Sequence, residues 1–114
     1  MAPNEKNQRW VFNSGVESNQ PVLGLNRKIL AYCDELMCME VVLEEGAQVA
    51  VHSHPNTQIS YIVSGVIEFT VDGEKKIVRK GDTVLLHSNV PHSCVCLEKA
   101  MVADFFTPMR DDLV

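Results

Sequence analysis

The chain has 114 residues, 46% of them hydrophobic and 22% charged, with a formal net charge of −5. That is the content of one small globular domain, and it excludes a disordered chain, a coiled coil and a collagen-like fibre. An acidic domain is a poor electrostatic partner for phosphate backbones or anionic lipid, and no apolar run of about 18 residues is present to span a bilayer, so neither nucleic acid nor a membrane is expected as a partner.

Residues 1–27 open the chain without strand periodicity and are expected to stay mobile or to pair with another subunit's sheet edge. Met1 to Arg9 is polar and lacks the apolar core of a signal peptide, which makes a cytoplasmic location the default. From there the chain alternates between short runs rich in Val, Ile, Phe and Tyr and clusters of turn residues. Strands are predicted near 28–33, 36–43, 48–53, 58–63, 66–71, 74–79, 83–87, 92–97 and 100–106. Asp72-Gly73 between two such runs is a hairpin signal, because glycine tolerates the positive φ of a two-residue turn. The one helical candidate is a short stretch at Arg110–Val114, within a C-terminal tail of residues 108–114. Many short strands joined by tight turns imply a single all-β domain, a sandwich or barrel over residues 28–107. Leu36–Leu43 and Thr83–Leu86 are apolar on both faces, so a partner chain is expected to cover the outer one, giving a homodimer.

The four cysteines fit a reducing compartment. Cys94 and Cys96 are two apart on one predicted strand, where their side chains run parallel and bridge poorly. Cys33 and Cys38 flank an Asp34-Glu35 turn with an offset that does not place them opposite each other. All four are expected to be buried free thiols.

The histidines carry the chemistry. His52 and His54, read as neighbours on one strand, point to one face roughly 6.6 Å apart. Gln58 opens the next strand after a Pro55-Asn56 turn, and His92 follows Pro91 at the start of a later one. Three imidazole nitrogens and an amide oxygen suit a divalent cation, with Ni, Zn, Mn, Fe and Co all tolerating that donor set. Taken alone, a His-x-His pair is also compatible with two hydrogen-bonded surface histidines. His87 is expected to be a hydrogen-bonded strand histidine, with a polar contribution to the pocket as the alternative.

Gly46-x5-His52-x-His54-x3-Gln58-x6-Gly65, followed by Gly81-Asp82 through Pro91-His92, resembles the two sequence motifs of the cupins. The resemblance implies an antiparallel double-stranded β-helix, a jelly-roll barrel with a metal in its mouth held by His52, His54, Gln58 and His92. Two positions depart from the usual pattern: Gln58 stands where the family commonly has Glu, and His87 where it commonly has Pro. Glutamine is neutral and cannot act as a base, so the cation would keep its full charge and a proton acceptor must lie elsewhere. The stretch His52–Gly65, and the Asp104-x-Phe106-x-Pro108-x-Arg110 tail, are similar to the pectin-degradation cupins of the KdgF type. That resemblance covers roughly Leu36 to Leu113. It implies opening of the ring of 4,5-unsaturated monouronates to linear keto acids, a sugar-acid substrate, and catalytic roles for Asp104, Phe106 and Arg110. Asp104 and Phe106 share strand parity with Val102, which fits an inward-facing acid and ring. Arg110 suits a substrate carboxylate as a forked donor, with a structural ion pair to Asp104 as the alternative. Two other readings stay open: a non-catalytic metal-bearing sugar-acid binding module, and a three-histidine cupin dioxygenase in which Cys94 and Cys96 line the pocket.

Overall fold

In a computed structural model that describes residues 4–114, the chain forms eight strands and two short 3-10 turns. The strands are β1 (Asn19–Val22), β2 (Leu25–Cys33), β3 (Leu36–Leu43), β4 (Gln48–His52), β5 (Thr57–Val71), β6 (Glu74–Arg79), β7 (Thr83–Leu86) and β8 (His92–Thr107). Every pairing is antiparallel. No helix among the described residues is long and apolar enough to cross a membrane.

Two long ribbons organise the fold. Expected strands 58–63 and 66–71 are one continuous β5, and 92–97 and 100–106 are one continuous β8. Gly65 and Glu98-Lys99, which read as turns, are instead bends at which the β5–β8 register slips repeatedly between Ile62 and Ile67. Gly65 has φ +85°, and a Cβ there would lie 2.5 Å from Ala100 Cα, 2.6 Å from Ala100 Cβ and against the Lys99 carbonyl oxygen. Only a residue without a side chain lets the ribbons approach so closely at the bend.

The bend divides the strands between two sheets. The first half of β5 and second half of β8 join β1, β2, β3 and β7 in the order β1-β2-β3-β8-β5-β7. The other halves form β4-β8-β5-β6. Alternate residues of both sheets meet in one core, in which Met37, Ile62 and Ile67 are fully buried. This is the all-β antiparallel jelly roll that the resemblance to the cupins implies. Its hydrogen-bonded path is not closed, however, and runs open from β1 to β6.

The Asp72-Gly73 hairpin forms as expected, with both residues at positive φ and Val71 paired with Glu74. The opening segment differs from expectation. Residues 19–27 supply β1 and the start of β2, which pair within the same chain, whereas residues 1–3 lie outside the described residues. β1 escapes a pattern-based reading because all four of its residues are exposed and one is proline. At the other end, the expected helical stretch is a single 3-10 turn, Asp111–Leu113.

Candidate metal centre and the cavity around it

His52 ends β4, His92 begins β8, and the two are register partners across that strand pair. Their ring centroids are 4.2 Å apart. His54 does not share a strand face with His52, because β4 stops at His52 and His54 sits in the loop beyond it. The loop brings the third ring in nonetheless, 6.1 Å from His52 and 5.1 Å from His92 between centroids. One ligand nitrogen from each of the three lies within 4.8 Å of the others.

The loop is fastened from both sides. The Asn89 N–H donates to the His54 carbonyl at 2.8 Å, tying the turn before His92 to the loop that carries His54. Buried Asn56 donates its amide to the carbonyls of Pro108 (2.8 Å) and Met109 (3.1 Å), tying the same loop to the C-terminal tail.

Each ring is oriented by a backbone carbonyl. Nδ1 of His52 meets Ala50 O at 2.8 Å, Nδ1 of His54 meets Asn56 O at 3.0 Å, and Nδ1 of His92 meets Val90 O at 2.9 Å. A carbonyl only accepts, so each Nδ1 carries the ring proton and each Nε2 presents a lone pair, the arrangement found in metal-ligating histidines. Burial, and the positive charge of Arg110, hold His54 below the ordinary imidazole pKa; burial also lowers His92, with its histidine neighbours and Arg110 acting in the same direction. Both effects favour the neutral ring that can ligate a metal.

Gln58, Ser60 and Asp104 form a directed chain beside the histidines. Ser60 Oγ donates to Asp104 Oδ1 at 2.6 Å, and Gln58 Nε2 donates to Ser60 Oγ at 3.0 Å. That polarity leaves Gln58 Oε1 facing His54 Nε2 at 2.9 Å. Two acceptor lone pairs therefore confront each other, an arrangement that a cation between them would relieve. The donor set thus fits a divalent ion on the structure's own hydrogen-bond pattern.

Asp104 pairs in register with Ser60 on β5 and Met39 on β3 and is buried, as are Val102 and Phe106 on the same side of β8. Burial raises its carboxyl to about 6, against the lowering influence of the Ser60 and Gln58 hydrogen bonds and of Arg110. Phe106 lies edge-on to His54, with centroids 5.7 Å apart, and beneath the Arg110 guanidinium, whose Cζ is 5.2 Å from the ring centroid. Arg110 does not pair with Asp104. It closes on Asp112 instead, Nε to Oδ1 at 2.9 Å and Nη2 to Oδ2 at 2.8 Å.

These groups share a cavity of about 270 Å³ whose wall includes His52, Gln58, His92, Asp104, Phe106 and Arg110. The rest of the wall is largely apolar, as in Met39, Val41, Ile67 and Phe69. Cys94 also lines it, but burial pushes its thiol up to about 12, so it is no ready thiolate. All four cysteines are free, and only Cys96 is fully buried, the other three being partly buried. His87 lies just past β7, exposed and off the cavity wall.

Two participants escape a motif-based reading: Asn56 and Ser60. Ser60 is foreshadowed by strand parity, since it shares the inward face of β5 with Gln58. Asn56 acts through contacts more than fifty residues away in sequence, and nothing local announces it.

Comparison with known proteins agrees with this geometry. The profile of the Cupin domain family matches residues 39–106. The pectin degradation protein KdgF of Dickeya dadantii (strain 3937) is 37% identical over 93 residues, covering 80% of this chain and 84% of that protein. Among solved structures, an RmlC-like cupin from Shewanella frigidimarina NCIMB 400 superposes with a TM-score of 0.91 at 32% identity, covering 96% of this chain and 98% of that one. KdgF from Halomonas sp. superposes with a TM-score of 0.89 at 32% identity, covering 94% and 99%.

Proposed function

The chain belongs to the cupin family, and from that premise we propose that it is a metal-dependent enzyme of pectin or alginate breakdown that opens 4,5-unsaturated monouronates to linear keto acids. The observation that carries the reading is Asp104, a buried carboxylate with its pKa raised to about 6, on the wall of the cavity that His52 and His92 also line. The likeness to the two KdgF proteins supports the substrate class.

His52, His54, His92 and Gln58 would hold one divalent cation of the Ni, Zn, Mn, Fe or Co class. When bound, it supplies Lewis acidity toward an oxyanion in the cavity. The proton transfers fall to the chain. Asp104 takes the proton of the anomeric hydroxyl, C1 becomes an aldehyde as its bond to the ring oxygen breaks, and the electron pair passes to that oxygen as an enolate. Asp104 then returns the proton to C4, and C5 is left as a ketone. Nothing is lost or gained, so the product is an isomer of the substrate. A carboxylate that titrates near 6 is well matched to both transfers at neutral pH. Phe106 presents an apolar wall that keeps water from the opening ring, and Arg110 adds positive charge at the cavity.

The test follows the ultraviolet absorbance of the conjugated C4=C5 bond of an unsaturated galacturonate monomer. Metal-loaded protein is expected to remove that band, and Asp104→Ala to slow its loss by at least about 100-fold. A rate equal to the protein-free rate with every divalent metal tried would end the ring-opening reading, and unchanged turnover in Asp104→Ala would acquit Asp104.

The same reading includes a homodimer in a cytoplasmic setting. Cys38, Phe105, Ile59 and Leu85 are successive register partners across β3, β8, β5 and β7, and Phe105, Ile59 and Leu85 are exposed apolar side chains. A contiguous apolar row on an outer sheet face supports coverage by a second copy. The free thiols support a reducing compartment.

A further inference from the structure

Arg27 occupies a position whose register neighbours are core. On β2 it shares a side with buried Leu25, and it pairs with Val41, which pairs with Val102, which pairs with Ile62. Those three are 6%, 3% and 0% exposed. Arg27 itself is half-buried at the end of that inward row, so its stem packs toward the core while its guanidinium stays accessible from the cavity side.

Among the described residues no carboxylate pairs with it, and Asp112, the partner of Arg110, adds only an attraction weaker than the effects of burial and of Arg110. The side chain makes one hydrogen bond, from Nε to Asn19 Oδ1 at 2.9 Å, and forms no ion pair, so both terminal amino groups remain free. Arg27 lines the cavity that also exposes His52, His92, Asp104 and Arg110. Burial and then the proximity of Arg110 hold its pKa below the ordinary arginine value, so the two cations are near enough to repel. They differ in one respect. Arg110 already spends two fork donors on Asp112, whereas the fork of Arg27 is open.

We propose that Arg27 is the anchor for the carboxylate of the bound sugar acid, taking it through its free terminal amino groups while Arg110 stays closed on Asp112. This rests on the uronate reading above and moves the carboxylate contact from the tail to β2. A planar fork facing a cavity is suited to bidentate carboxylate binding, and an anion there would also relieve the Arg27–Arg110 repulsion. Specificity for acids over neutral sugars then resides in the strand that precedes both histidine-bearing stretches.

The experiment compares two probes by isothermal titration of the metal-loaded full chain: D-galacturonate and its uncharged methyl ester. Wild type is expected to prefer the acid, and Arg27→Gln to lose about 10- to 100-fold in affinity for the acid with little change for the ester. Arg27→Lys keeps the charge without the fork and is expected to lose several-fold of the preference, which carries the test should Arg27→Gln fail to fold. An equal loss for acid and ester would assign Arg27 a purely structural role. Full preference retained in either variant would overturn the anchor and leave the uronate reading standing. A wild type that prefers neither probe would overturn both.

Discussion

Gly65→Ala tests the architecture at the point on which the site depends. Two penalties act there. Alanine at φ +85° costs about 1–2 kcal/mol for the left-handed backbone. The added Cβ also meets the Lys99 carbonyl and the Ala100 backbone, neither of which can turn aside as a flexible side chain would, and such overpacking adds about 1–3 kcal/mol. Gly81→Ala is the matched control, with φ +89° and nothing within 4 Å of the new Cβ, so it incurs the first penalty alone. The expected losses are about 2–5 kcal/mol for Gly65→Ala and about 1–2 kcal/mol for Gly81→Ala. With a urea slope of about 1–3 kcal/mol per molar, the midpoint for Gly65→Ala should fall about 0.3–3 M below that of the control at unchanged slope. Equal midpoints for the two variants would refute the close approach of β5 and β8 at this bend.

Further expectations follow from the site. In chelator-treated protein, Asp104 titrates near 6 folded and near 3.8 unfolded, so its favourable contribution is fully present below about pH 4 and is lost as the pH rises through 6. Asp104→Asn should therefore be more stable than wild type by about 3 kcal/mol at pH 8, with the gap closing toward pH 4 in denaturant titrations; a gap that ignores pH would refute the buried carboxylate. A divalent cation at 100 times its Kd should add about 2.7 kcal/mol to wild type, a rise in Tm of about 10 °C, and His92→Ala or His54→Ala should abolish it; the same rise in a variant would remove that imidazole from the ligand set. Phe105→Glu on the outer sheet face should yield a monomer by light scattering, and a dimer that survives it must use another surface.

Much of the fold was legible because its strands are punctuated by chemistry that leaves little choice. The Asp72-Gly73 turn needs two positive φ values and has them. Parity placed Asp104, Phe106 and Val102 on one side of β8. Where the reading failed, the signal was local and the cause was not. Gly65 looks like a turn because glycine usually marks one, but here it is required by the backbone of a strand from the far end of the chain. His52 and His54 were expected to converge through strand alternation. They converge because Asn56 and Asn89 hold the intervening loop, and their three bonds link it to segments that sequence spacing does not reveal. Arg27 was hidden for the same reason, since an arginine in an irregular opening segment acquires meaning only once β2 is set beside Val41.

The Asn56 clamp has a consequence for how the C-terminal residues can move. With the carbonyls of Pro108 and Met109 held by one buried amide, the polypeptide is anchored immediately upstream of Arg110. Whatever freedom the end of the chain possesses begins at that arginine and involves only the few residues after it. Movement there is thus a swing of a short arm about a fixed pivot, which leaves β8 unfrayed and the loop that seats His54 undisturbed.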